Sequence, residues 1–121
     1  MNEKAALLGC FFYGEVVMQT SVFAWNEVEP YGDTKADRRV IAGKAGDLKR
    51  VCVKAGYVAA KHSHEFEQFI MVLEGSGVLT TAEGEVELKP GVVVHFAPQA
   101  WHSAVFETDT VLVEVNFKTL S

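Results

Sequence analysis

Two histidines one residue apart, His62 and His64, stand in the stretch Gly56-YVAAKHSHEFEQFIMVLE-Gly75, together with the amide of Gln68. In a β-strand, successive side chains point to opposite faces, so residues two apart share a side. Positions 62, 64 and 68 have the same parity, and a continuous strand would aim all three side chains one way. Imidazole nitrogens and an amide oxygen converging on one side of a sheet make a partial metal site. His102, which follows the Pro-containing turn in HFAPQAWH, completes the set. Apolar Phe66, Ile70 and Val72 share the parity of the ligands, so this face reads as buried. Buried polar groups need partners, and one ion satisfies all of these at once.

The spacing Gly56, five residues, His62-x-His64, three residues, Gln68, six residues, Gly75 resembles the first motif of the cupins. Gln68 stands where that family usually has glutamate. The stretch Gly91-VVVHFAPQAW-His102 resembles the second cupin motif, with Ala97 in place of proline, Gln99 in place of glycine and Phe106 in place of asparagine. The likeness runs over about residues 38 to 117. It implies an all-β fold, the cupin jelly-roll barrel or double-stranded β-helix, with a metal held in its mouth.

His62, His64, Gln68 and His102 are therefore the expected ligands of one divalent ion. Histidine and amide donors suit nickel, zinc, iron, manganese and copper alike. Three imidazoles and a neutral amide leave the ion's double charge uncompensated. The ion is then a stronger Lewis acid, which favours acid–base chemistry on a hydroxyl or carbonyl substrate. In the final strand, Leu112, Glu114 and Asn116 share one face, and Val111, Val113, Val115 and Phe117 the other. The wholly apolar set is expected to face the hydrophobic core, leaving Glu114 and Asn116 to the barrel cavity. A carboxylate near a metal is a candidate catalytic acid or base. Asn116, Trp101 and Tyr57 are the expected pocket residues, with Lys61 also at the rim. Glu67 has the opposite parity and belongs outside; His95 fits either a pocket or the surface.

Within the cupins, the order HSH…EQ, V-x-E-G and a late DTVLVEV strand resembles the small proteins that linearise unsaturated uronates in pectin and alginate breakdown. In that group an aspartate and a phenylalanine serve the pocket from the last strand; Glu114 and Asn116 occupy those places here. The short arginine-bearing tail that some such enzymes use is missing, leaving Lys118 to meet a sugar carboxylate. The resemblance implies a metal-dependent isomerase or lyase acting on a small sugar-derived molecule. An iron(II)-dependent dioxygenase using the same ligands, and a non-catalytic metal or sugar binder, are the alternatives.

The elements that must position these residues read as strand and turn throughout. Strands are expected at 39–41, 48–53, 66–73, 78–81, 85–88, 92–96, 101–106 and 111–117. Turns at Ala82-Glu83-Gly84 and Lys89-Pro90-Gly91 separate some of them. Short strands at regular spacing mean a sandwich or barrel. With 121 residues, nearly half of them apolar, the chain suffices for one domain with a real core. That domain is expected over residues 18–121.

A net charge of −5 argues against nucleic acid, which needs a basic face. The basic pairs Arg38-Arg39 and Lys49-Arg50 read as solvated surface. No apolar run reaches the roughly 18 residues needed to cross a membrane. Cys10 and Cys52 make no disulfide framework; Cys52, in VCV, reads as a small core residue, and the compartment as the reducing cytoplasm. Residues 1–17 are apolar but interrupted by Glu15 and lack a basic start, so they read as an extra strand rather than a secretory signal. An apolar strand left in water invites aggregation, so a homodimer is expected in which residues 5–17 pack on the partner.

Overall fold

The computed structural model describes residues 19–119, and the expected N-terminal strand lies outside them. After a single turn of 3-10 helix at Trp25–Glu27, ten strands follow. They are β1 (Tyr31–Asp33), β2 (Ala36–Ala42), β3 (Gly46–Val53), β4 (Val58–His62), β5 (Gln68–Glu74), β6 (Gly77–Thr81), β7 (Gly84–Leu88), β8 (Val93–Phe96), β9 (His102–Phe106) and β10 (Thr110–Phe117). One sheet has the order β1-β2-β3-β10-β5-β8 and the other β4-β9-β6-β7. Every pairing is antiparallel. The all-β jelly-roll expectation is met.

Alternation along each strand builds the interior. Val51 and Val53, Val72, Leu79, Leu88, Phe96, Ala104 and Phe106, and Leu112 form one buried cluster between the two sheets. Register aligns these residues into rows: Val72 faces Leu112 on β10, which faces Val51 on β3. Apolar burial of this kind is the main favourable term in folding.

The strand geometry corrects several expectations. His62 ends β4 in the four-stranded sheet, whereas Gln68 begins β5 in the six-stranded one. No continuous strand runs from 62 to 68. Residues 63–67 cross between the sheets, and the side chains converge because two facing sheets enclose one interior. In β10 the apolar set faces outward: Leu112 is buried, while Phe117 is exposed on the other face. The core lies on the side of Leu112, so Glu114 and Asn116 point inward with it rather than away from it. Cys52 is a free thiol half-buried on the outer face, since its neighbours Val51 and Val53 take the inner positions. The strands β1 and β4 carry no strong alternation and were not expected.

Two glycines frame the histidine segment for different reasons. Gly56 has φ +87° with open space where a Cβ would stand. Gly75 has φ +99°, and a Cβ there would overlap the Thr110 side chain and the Asp109 carbonyl. Gly56→Ala is expected to cost about 1–2 kcal/mol, the penalty of a left-handed backbone for an L residue. Gly75→Ala carries that penalty and a backbone collision, and its cost exceeds that of Gly56→Ala. Urea unfolding of both variants checks the order; equal costs would show that the close approach at Gly75 is unimportant.

Candidate metal centre

His62 and His102 face each other across β4 and β9, next to an irregularity in the ladder between Ala59 and His62. His64 lies just beyond β4, its carbonyl accepting from the backbone N–H of Gln99 at 2.7 Å. Gln99 holds a left-handed backbone, φ +70°, at the position where the second motif usually has glycine. The substitution seen in the sequence therefore leaves the turn geometry in place, at some conformational cost to Gln99.

The three imidazoles converge. Their available nitrogens all lie within 4.8 Å of one another. Local packing orients the rings: His102 stacks on Phe96 at 3.9 Å between centroids, and His64 on Phe66 at 4.7 Å. Two tautomers are fixed by the backbone. Nδ1–H of His62 donates to the Ala60 carbonyl at 2.7 Å, and Nδ1–H of His102 donates to the Ala100 carbonyl at 3.2 Å. Each Nε2 then keeps its lone pair for a metal, the arrangement in which an outer contact fixes a ligating histidine. Burial, reinforced by the charge of His62, lowers the pKa values of His64 and His102. Both rings are thereby held neutral, the form that ligates.

Gln68 tests the fit of a cation. Its Nε2 donates to Asn116 Oδ1 at 2.8 Å and to Glu114 Oε1 at 3.3 Å. With Glu114 ionised, the amide turns its nitrogen to that carboxylate and to Asn116 Oδ1. Gln68 Oε1 is then buried with no hydrogen-bond partner among the described residues. Leaving such an acceptor unpaired costs about 1–3 kcal/mol. A divalent cation beside three neutral imidazoles would satisfy it.

All four residues line one cavity of about 230 Å³, together with Glu114, Asn116 and Tyr57. The Glu114 side chain is 14% exposed. Burial raises its pKa above the usual carboxylate range, against the opposing charges of Lys49 and Arg38. Trp101 is not among the residues lining this cavity; its ring sits 4.1 Å from the Lys61 ammonium. Trp101 precedes β9, which His102 begins. His95 belongs to the surface, with Nε2 2.6 Å from Glu67 Oε2. Lys118 also lies outside the cavity, 3.7 Å from Asp47.

The sequence reading missed Arg38 and Lys49, which both line the cavity. Strand alternation splits each basic pair. Arg38 and Lys49 take the inner face with Val51 and Val53, and Arg39 and Arg50 the outer one. The signal was present in the parity of Lys49 relative to VCV, but a charged pair reads more readily as surface.

The chain belongs to the cupin family, whose model, described as "Cupin domain", matches residues 49–116. No curated protein matches it. Among solved structures it is similar to KdgF from Halomonas sp., with 21% identity and a TM-score of 0.75 over 84% of this chain and 96% of that one. An RmlC-like cupin from Shewanella frigidimarina NCIMB 400 gives 18% and 0.74, over 85% of this chain and 96% of that one. Ectoine synthase from P. lautus gives 17% and 0.75, over 84% and 80%. Identities this low establish the shared fold alone.

His64 supplies an available nitrogen but no core packing of its own. His64→Ala is expected to lose most of the bound metal after loading with nickel or zinc, while circular dichroism keeps its β signature. Elemental analysis of the dialysed variant measures this. Full metal content would remove His64 from the ligand set.

Proposed function

We propose that this cupin is a metal-dependent enzyme acting on a small polar, sugar-derived acid, by linearisation or isomerisation of the unsaturated-uronate type. The observation that supports this most is the place of Glu114, a buried carboxylate in the same cavity as His62, His64, His102 and Gln68. Those four residues would hold one divalent ion, which would polarise a substrate hydroxyl or carbonyl oxygen.

The chain's own groups supply the proton chemistry. Both contacts of the Glu114 carboxylate among the described residues fall on Oε1, from Gln68 Nε2 at 3.3 Å and Lys49 Nζ at 3.7 Å. Oε2 is left for a substrate proton. A carboxyl group whose pKa is raised by burial holds its proton closer to neutral pH, where a general acid or base is most useful. Asn116 holds the Gln68 amide at 2.8 Å and so keeps Gln68 Oε1 turned away from Glu114. Phe66, Ile70, Leu79 and Phe106 wall the cavity and limit water. The reading places the reaction in a reducing cytoplasm, where the free thiol of Cys52 persists.

Glu114→Gln keeps the side-chain size and abolishes proton exchange. With a substrate found by screening unsaturated uronates, turnover is expected to fall roughly 10²- to 10⁴-fold while metal content stays the same. Full turnover at full metal would make Glu114 a bystander. Loss of metal would mean that the ligand set is wrong.

We also infer a homodimer. The outer face of the six-stranded sheet exposes Leu48, Phe69, Met71, Leu73 and Val93. Register joins them into a stripe, with Val115 between Leu48 and Phe69 and Val113 beside Met71. Contiguous apolar surface of this kind marks an interaction site. A second copy offers a self-complementary partner of the same chemistry. Light scattering is expected to give twice the chain mass at micromolar concentration, and Met71→Glu with Val113→Glu to give the monomer. A wild-type monomer would exclude the dimer.

A further inference from the structure

The cavity carries a cationic end that the metal reading does not use. Arg38 comes from β2 and Lys49 from β3, and both line the wall that continues from Gln68 and Glu114. Register sets Arg38 in the row of Val51, Leu112 and Val72, whereas Gln68 pairs with Asn116, so Arg38 stands towards the other end of the cavity from Gln68. Its long side chain then reaches back over the interior.

Arg38 has few partners among the described residues. Among the described residues its guanidinium makes one side-chain hydrogen bond, from Nη2 to the Tyr57 hydroxyl at 2.9 Å, and no ion pair. Arg39, next in sequence, is saturated. Its Nε and Nη2 donate to Asp37 at 3.1 and 3.2 Å, and its Nη1 donates to the Trp25 carbonyl at 2.7 Å. A guanidinium has five N–H donors in a fixed fork. The contrast leaves most of the Arg38 fork for another acceptor. Gly32 of β1 passes close to the guanidinium: a Cβ there would stand 3.0 Å from Arg38 Nη1 and would overlap the Ala36 carbonyl oxygen. Lys49 is also only loosely held, its ammonium 3.7 Å from Glu114 and 5.9 Å from the Tyr31 ring centroid.

Two cations face one carboxylate in this wall, so the chain's own charged side chains leave a surplus of one positive charge. The whole protein carries −5, so the cavity reverses the sign of the molecule. A concave site of one sign concentrates ligands of the other. One surplus charge matches a carboxylate. A phosphate group, with about −1.5 to −2 charges, would meet more repulsion from Glu114 than a carboxylate with one.

We propose that Arg38 and Lys49 form the anion subsite of this cavity and hold the carboxylate of a small hydroxy- or keto-acid whose other oxygens face the histidines. The inference deepens the proposed function and rests on it for the sugar-acid part of the ligand. The Arg38 fork accepts the carboxylate edge-on, Lys49 supplies the second cation, and Tyr57 holds the guanidinium in plane. Arg38 and Lys49 are thus specificity-determining residues, with Glu114 placed between them and the metal end.

The test is a titration of the metal-loaded full chain, followed by ¹⁵N NMR at the Arg38 Nε–H and at backbone amides. The probes are D-glucuronate against D-glucose in one arm, and acetate against inorganic phosphate in the other. D-glucuronate is expected to bind about ten- to a hundredfold more tightly than D-glucose, the usual worth of charge-assisted hydrogen bonds. Arg38→Gln is expected to abolish that preference, Arg38→Lys to restore part of it, and Lys49→Met to weaken it, all at unchanged metal content. Acetate is expected to bind in preference to phosphate and to depend on Arg38 in the same way. Acetate binding that depends on Arg38, with neither sugar bound, would uphold the subsite and reject the sugar-derived substrate. Anion binding that survives both Arg38→Gln and Lys49→Met, or no anion binding in either arm, would overturn the subsite. Phosphate binding more tightly than acetate would overturn the carboxylate assignment. Should Arg38→Gln fail to fold, Lys49→Met in both arms carries the same decision.

Discussion

The site depends on the orientation of one amide. Gln68 begins β5, and its nitrogen is committed to Asn116 and Glu114 on the neighbouring strand β10. That leaves its oxygen buried and unpaired inside the barrel. An interior that strands a polar acceptor in this way loses stability unless something binds it. The three histidines, drawn from the end of β4, the crossing that follows it and the start of β9, bring neutral nitrogens to the same cavity. The same two hydrogen bonds that free the Gln68 oxygen also tie down Asn116 and one oxygen of Glu114. The proposed metal site and the proposed proton-handling group are thus joined by a single pair of contacts between β5 and β10.

A neutral fourth donor has electrostatic consequences for the whole cavity. A glutamate at position 68 would cancel part of an ion's charge and would repel Glu114 across the β5–β10 pair. With glutamine there, Glu114 is the only carboxylate among the residues lining the cavity, against Arg38 and Lys49. An acidic protein thus encloses a basic pocket. The proposed anion subsite and the proposed use of Glu114 for proton transfer both rest on this charge balance.

Much of this was legible in the sequence, though not always for the right reason. The spacing of His62, His64, Gln68 and His102 pointed to one cavity, and the structure brings them to one. The parity argument that linked 62 to 68 assumed a continuous strand. The chain instead crosses between sheets there, a change of direction that period-two alternation does not reveal. The alternation in β10 correctly paired Glu114 with Asn116, yet the inner face was assigned from the wrong hydrophobic set. Val111, Val113, Val115 and Phe117 are apolar because the outer face of that sheet is apolar too. Arg38 and Lys49 escaped notice because a charged dipeptide is usually solvated, and only the register with Val51 turns one member of each inward. Trp101 adjoins His102 in sequence, but it precedes β9 and its ring packs by the Lys61 ammonium outside the cavity lining.

The central claim is that one divalent ion is held by His62, His64, His102 and the amide oxygen of Gln68. The most direct measurement is a crystal structure of the nickel- or zinc-loaded protein with anomalous data collected at the metal edge. A single strong peak per chain is predicted, bonded to Nε2 of His62 and His102, to one imidazole nitrogen of His64 and to Gln68 Oε1, with Gln68 Nε2 still donating to Asn116. A peak elsewhere on the molecule, or an ion held by the histidines with the Gln68 oxygen turned away from it, would contradict the account.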